Sequence, residues 1–151
     1  MDINTTNDMA KQLPRGLRNN NPGNIRLSST RYLGEVDSTD TAFKQFKSMA
    51  YGYRAMFVLL YTYQRKHHLN TIEEMISRYA PAIENHTEKY ISAVSEWSGV
   101  PATSRITTTN GDIMVPVVAA MSRVENGVFA NMHEVVKGWD LFINDYRKHN
   151  V

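Results

Sequence analysis

From Met49 onward the apolar residues recur at steps of three and four. Met49, Tyr53, Met56, Phe57, Leu60 and Tyr61 therefore share one face of a long helix that ends near Lys66. Asn70 or Thr71 opens a second helix carrying Ile72, Met75, Ile76 and Tyr79, and Pro81 stops it. Asn85, with Glu88 three positions later, reads as a capping box. The helix behind it is expected to bury Tyr90, Ile91, Val94 and Trp97, and to end at Gly99 with Pro101 beyond. Ala102 to Gly111 is polar and threonine-rich, a loop by composition. Asp112 to Val124 is the most apolar stretch of the chain. Pro116 is tolerable only in a first turn, so the helix proper is expected to begin just before it and to stop at Asn126-Gly127. A last helix, capped by Asn131 with Glu134 at the third position, starts near Met132 and packs Val135, Trp139, Phe142 and Tyr146.

Before Met49 the helical period is missing. Arg15 to Asn24 (RGLRNNNPGN) is dense in Asn, Gly and Pro, each of which supports turns for its own reason. Ile25 to Phe46 shows short β-leaning pieces broken at Gly34 and at Ser38-Thr39-Asp40, which predicts a small irregular sheet. Met1 to Leu13 is polar and reads as a flexible tail. It lacks the basic start and apolar stretch of a secretory signal, so export is expected to use another route. The fold expected is α+β and mainly α-helical, one domain over residues 14–151 with its small sheet near the N-terminus.

Composition narrows the function. Of 151 residues, 42% are hydrophobic, enough for one buried core. The net charge is +2 and the basic residues form no stripe, which argues against a dedicated nucleic-acid binder and suits a negatively charged partner such as a bacterial wall. The absence of cysteine excludes disulfides, thiol nucleophiles and Cys-based zinc sites. There is no apolar run long enough to span a membrane. His67, His68, His86, His133 and His149 show no metal-ligand spacing, and no Walker, Rossmann or GxSxG motif occurs. No metal or organic cofactor is expected.

Three places carry candidate chemistry. Glu125 ends an almost wholly apolar helix, where partial burial and the negative end of the helix dipole both favour a protonated carboxyl. Such a group suits general-acid work, although a charge at a frayed helix end fits the same position. The asparagine run around Asn21 and Asn24 offers amides that match N-acetyl and hydroxyl groups of amino sugars, or serves as ordinary turn chemistry. Tyr79-Ala80-Pro81, followed by Glu84-Asn85-His86-Thr87 and Tyr90, either lines a saccharide groove or places two tyrosines in the core with hydroxyls reaching out.

These blocks together resemble the virion-associated murein hydrolases of bacteriophages. The resemblance rests on RGLRNNNPGNIR (15–26), on Phe43, Phe46 and Ser48 ahead of Gly52-Tyr53-Arg54-Ala55, on residues 69–90, and on VENG at 124–127. It covers about residues 14–130. That family is in turn similar to lytic transglycosylases of the lysozyme superfamily with the blocks in rotated order, which implies a circularly permuted, lysozyme-like domain. The resemblance implies that Glu125 is the general acid and base. It implies substrate contacts from Asn21, Asn24, Tyr79, Glu84 and Tyr90, with peptidoglycan glycan strands as the partner. It also implies action in the periplasm or on the wall after delivery by a phage particle, a holin or a secretion apparatus. Three departures stand out: Asn126 replaces the usual Ser, no Met-Gln pair follows Gly23, and Pro81 stands where Asn is usual. A hydrolytic muramidase would need a second carboxylate, for which Glu35, Asp37 and Asp40 are the candidates. A non-catalytic wall-binding or virion structural module is the alternative from another class.

Overall fold

Short polar segments and long amphipathic ones divide the chain as their periods require. The computed structural model describes residues 13–81 and 84–149, with the side chains of 84 and 85 outside the description. The expected tail therefore lies outside the described residues except for Leu13. A single turn of helix, α1 (Arg15–Arg18), precedes the asparagine run. Two minimal strands, β1 (Glu35–Val36) and β2 (Gln45–Phe46), pair antiparallel with Glu35 opposite Phe46, and an isolated bridge joins Arg26 to Phe43. The helices α2 (Met49–His67), α3 (Ile72–Tyr79), α4 (Glu84–Ser98), α5 (Gly111–Asn126) and α6 (Met132–His149) follow. The architecture is α+β and mainly helical, with its small sheet toward the N-terminus. No helix among the described residues is long and apolar enough to cross a membrane.

Caps fix most of the helix ends. Ser48 accepts from the Tyr51 amide at the start of α2. Thr71 accepts from Glu74 N at 3.1 Å, while the Glu74 carboxylate takes the Asn70 amide at 3.0 Å, so the acidic side chain satisfies a donor just outside α3. Asn110 caps α5 and Gly127 closes it in left-handed backbone.

Four details differ from the sequence expectation. Helix α4 begins at Glu84, so Asn85 sits in its first turn instead of capping it; Thr87 donates to Ala80 O and ties that turn to the end of α3. Trp97 is 42% exposed and packs under the Arg123 guanidinium, 3.8 Å over its ring, instead of in the core. The loop after Ala102 ends at Asn110, one residue early. Helix α5 then starts at Gly111, well ahead of Pro116. The cap at Asn110 supplies the start that the proline was expected to mark, and Pro116 lies inside the helix with no N–H to offer the Asp112 carbonyl.

The core is one cluster in which α5 is central. Met114, Val118 and Met121 are sealed between α4, which contributes Val94, and α6, which contributes Val135. Helices α2 and α6 meet through a ladder of rings: Phe57 to Trp139 at 5.1 Å edge-on, Trp139 to Phe142 at 5.4 Å, and Tyr61 to Tyr146 at 5.6 Å. Their approach is closest at Gly138, where an added Cβ would lie 2.6 Å from Tyr53 Cβ and 2.8 Å from Ala50 O.

Gly138→Ala therefore sets helix propensity, a gain of up to about 1 kcal/mol, against overpacking, which costs about 1–3 kcal/mol. The atoms met include backbone that cannot swing aside, so overpacking wins. Urea unfolding is expected to show a lower midpoint for the variant, and an unchanged or raised midpoint would show that α2 and α6 separate freely.

Candidate functional site

The asparagine run is built inward before it faces outward. Asn21 is fully buried; its Nδ2 donates to the carbonyls of Ile25 and Lys44, both at 2.9 Å, and its Oδ1 accepts Ile25 N at 2.9 Å. Asn19 donates to Asp40 at 3.0 Å and Asn20 to Phe46 O at 3.1 Å. Asn20 and Asn24 both hold left-handed backbone, with φ of 51° and 48°, a region asparagine enters more readily than most residues. The Asn20 carbonyl occupies the space a Cβ on Gly52 of α2 would need, which seats the turn directly on that helix.

Two further clamps fix the far side of the turn. Asn126 Nδ2 donates to Pro22 O at 2.8 Å and to Ser122 O at 2.9 Å, binding the end of α5 to the turn. The Tyr79 hydroxyl donates to Gly23 O. Asn24 is thereby aimed at the last turn of α5, where its Nδ2 donates to Glu125 Oε1 at 3.0 Å.

Glu125 is largely withdrawn from water. Burial raises its pKa from the ordinary 4.5, while hydrogen bonds from Asn24 and Tyr90 and the charge of Arg26 pull the other way without cancelling that rise. Tyr90 is buried behind the carboxyl. Its phenol and that of Tyr79 are pushed well above 10, first by burial and then by the nearby Glu125 charge, so both stay donors at neutral pH. The Tyr79 and Tyr90 rings meet edge-on at 6.5 Å.

In front of Glu125 lies an open cleft of about 760 Å³. One boundary comes from Asn24–Arg26, Tyr32 and Phe43; the other from Tyr63, Arg78, Tyr79, His86 and Tyr90. Glu125, Asn24, Tyr79 and Tyr90, which lie far apart in sequence, thus meet at one place. Their roles differ from the expectation. Asn21 makes no substrate contact, because both its amide protons and its oxygen are spent inside the turn. Asn24 lines the cleft and holds the carboxyl through its Nδ2, while its Oδ1 is buried. The Tyr79 hydroxyl is committed to Gly23 O, and the Tyr90 hydroxyl, beside Glu125, donates to Met121 O at 3.5 Å, which makes both braces. The side chain of Glu84 lies outside the described residues.

Glu125 is the only carboxylate among the described residues lining the cleft. Glu35 takes the buried Lys44 ammonium at 3.0 Å and the Tyr32 amide at 3.1 Å. Asp40 accepts both arms of Arg15 at 2.7 and 2.6 Å, together with the amides of Ala42 and Phe43. Those donors, Arg15 foremost, hold its carboxyl far below the usual range. Asp37 is fully exposed. No group of three or more His, Asp or Glu residues among the described ones could hold a metal ion. Arg26, Arg78, Tyr32, Tyr63 and the clamp by Asn126 were not singled out as site residues from sequence. Arg26 ends the quoted run RGLRNNNPGNIR and Asn126 adjoins Glu125, so adjacency to the motifs was the signal available for those two.

No family model matches the chain. Among curated proteins it is similar to Protein P5 of Pseudoalteromonas phage PM2, with 38% identity over 127 residues that cover 82% of this chain and 78% of that protein.

A raised carboxyl pKa has a signed consequence. The folded protein holds the Glu125 proton more tightly than the unfolded chain, so this group's contribution to stability falls as pH rises from 4.5 through the raised value. Glu125→Gln removes that loss. Calorimetric melting from about pH 3 to about pH 8 is expected to show the variant more stable at neutral pH, with the gap closing in acid. Asn21→Ala acts in the opposite direction at any pH, because orphaned buried partners cost about 1–3 kcal/mol each. A melting temperature within experimental error of wild type would contradict the internal role of Asn21.

Proposed function

The chain belongs to the family of Protein P5 of Pseudoalteromonas phage PM2, and from that premise we propose that it is a phage-associated peptidoglycan lytic transglycosylase. The bond cleaved is the β-1,4 link between N-acetylmuramic acid and N-acetylglucosamine, in a lysozyme-like domain whose blocks run in permuted order. One observation carries the reading: a carboxyl, solitary among the described cleft residues, raised in pKa by burial, fixed by Asn24, and facing a cleft of saccharide size.

The geometry suits one group used twice. Protonated Glu125 gives its proton to the leaving glycosidic oxygen as the bond to the muramic anomeric carbon breaks. The substrate's own acetamido group stabilises the oxocarbenium-like centre, so no second enzyme carboxylate is required. Glu125, now a carboxylate, takes the proton of the muramic C6 hydroxyl while that oxygen closes on the anomeric carbon. The product is a 1,6-anhydro end and the acid is regenerated, with no metal or cofactor in the cycle. Asn24 keeps the carboxyl in place in both protonation states, since an amide N–H can donate to either form.

A hydrolytic muramidase is the nearer rival, and it is disfavoured because Glu35 and Asp40 are committed elsewhere, Asp37 pairs with Arg31 in the open, and none of the three lines the cleft. The phage relative is equally compatible with a non-catalytic virion or wall-binding module. Delivery to the periplasm or the wall, with the particle or after holin-mediated release, belongs to the same proposal.

Mass spectrometry of purified peptidoglycan digested by the wild type and by Glu125→Gln tests all three. The expected result is anhydro-muramyl ends from the wild type and a loss of about 10²–10⁴-fold in the variant, the usual scale of general acid–base catalysis. Reducing ends would assign the chain to the muramidases. If neither protein releases muropeptides while both sediment with the wall, the module reading replaces the enzyme.

A further inference from the structure

Two guanidinium groups line the cleft that holds Glu125, and neither meets a carboxylate among the described residues. Arg26 comes from the segment that bridges to Phe43 and lies over that ring at 5.2 Å. Arg78 comes from α3 and lies over the Tyr63 ring at 5.4 Å. Both are exposed. A guanidinium held against an aromatic face is positioned while its N–H donors remain free for a ligand.

The contrast with other arginines is informative. Arg15, Arg31 and Arg54 are each spent on an acidic neighbour: Asp40, Asp37 and Asp145, at 2.6, 3.3 and 2.9 Å. Within the cleft the single described carboxyl is half-buried and held by the neutral amide of Asn24. The fixed charge offered to a ligand by the described lining is therefore positive, and it arrives from two separate segments.

We propose that Arg26 and Arg78 select glycan strands by the carboxylates they carry, so that the cleft takes acidic glycan in preference to an uncharged polymer of the same backbone. The proposal rests on the glycan reading of this cleft and names the substrate feature it recognises. Where the stem peptide is attached, the lactyl carboxyl is an amide and the peptide supplies the carboxylate; where the peptide has been removed, the lactyl ether supplies it, and a guanidinium fork fits both.

The test is a calorimetric titration of full-length Glu125→Gln protein, which binds without cleaving. Five probes are used: soluble peptidoglycan fragments, the same fragments with their carboxyls amidated, amidase-stripped glycan that keeps only lactyl carboxylates, that glycan amidated, and chitin oligosaccharides of equal length. Adding Arg26→Gln or Arg78→Gln is expected to weaken binding of acidic fragments about three- to tenfold at low salt, less as salt rises. Chitin binding is expected to stay unchanged, and Arg→Lys to restore part of the loss. Undiminished binding of stripped glycan assigns the lactyl group; its loss assigns the stem peptide. Equal affinity for the free and amidated forms of both the fragments and the stripped glycan overturns the proposal, and that comparison needs no arginine variant to fold. The underlying reading fails separately: a wild type that binds acidic glycan yet releases no muropeptides keeps the selectivity and loses the enzyme, whereas equal cleavage of free and amidated walls does the reverse.

Discussion

The hydrogen bond from Asn24 to Glu125 joins positions 101 residues apart, and the cleft exists only because both ends of that bond are held rigid. A side-chain amide on a free loop would lose the bond to water at almost no cost, since the net value of one hydrogen bond is about 1 kcal/mol. Here the loop has no such freedom. Asn21 closes it from inside, the Asn20 carbonyl sits on α2, and Asn126 and Tyr79 pin Pro22 and Gly23. Three side chains and one backbone carbonyl thus serve one orientation, and the left-handed backbone at Asn20 and Asn24 is maintained by the same contacts.

Three carboxyls near the N-terminal turn and α5 show how environment divides one chemistry into different states. Asp40 meets a guanidinium and two backbone amides and is kept ionised far into acid. Glu35 neutralises a lysine with no exposed side-chain surface, which also donates to Thr30 O at 2.7 Å and so holds the loop that lines the cleft. Glu125 receives an amide and a phenol, neither of them charged, and burial decides the outcome. The difference lies in the charge of the partner, not in the number of hydrogen bonds.

Helices were legible in the sequence wherever a stripe of apolar residues ran for three turns or more. Met49–His67 and Ile72–Tyr79 appear nearly as the period dictates, and Met132–His149 begins where Asn131 and Glu134 placed it. The start of α5 was not legible because a cap at Asn110 outweighs the proline signal five residues inside the helix. Trp97 was misplaced because periodicity counts an aromatic ring as core, and it cannot see an arginine arriving from another helix. Within the site, Glu125 stood out by its neighbours in sequence. The split of the asparagines did not: whether an amide faces inward, like Asn21, or toward a carboxyl, like Asn24, depends on carbonyls contributed by residues 22, 25, 44 and 46. Local composition carries no record of those partners.

Arg26 makes the last constraint explicit. A guanidinium in direct contact with Glu125 would do what Arg15 does to Asp40 and would keep the acid charged. Its charge does reach Glu125 and lowers the pKa, yet by less than burial raises it. The Phe43 ring, 5.2 Å from the guanidinium carbon, gives that cation a resting place on the sheet segment. Holding cations near the one described carboxyl without overriding the upward effect of burial requires neutral surfaces on which to park them. Aromatic faces meet that need, and both cleft arginines use one.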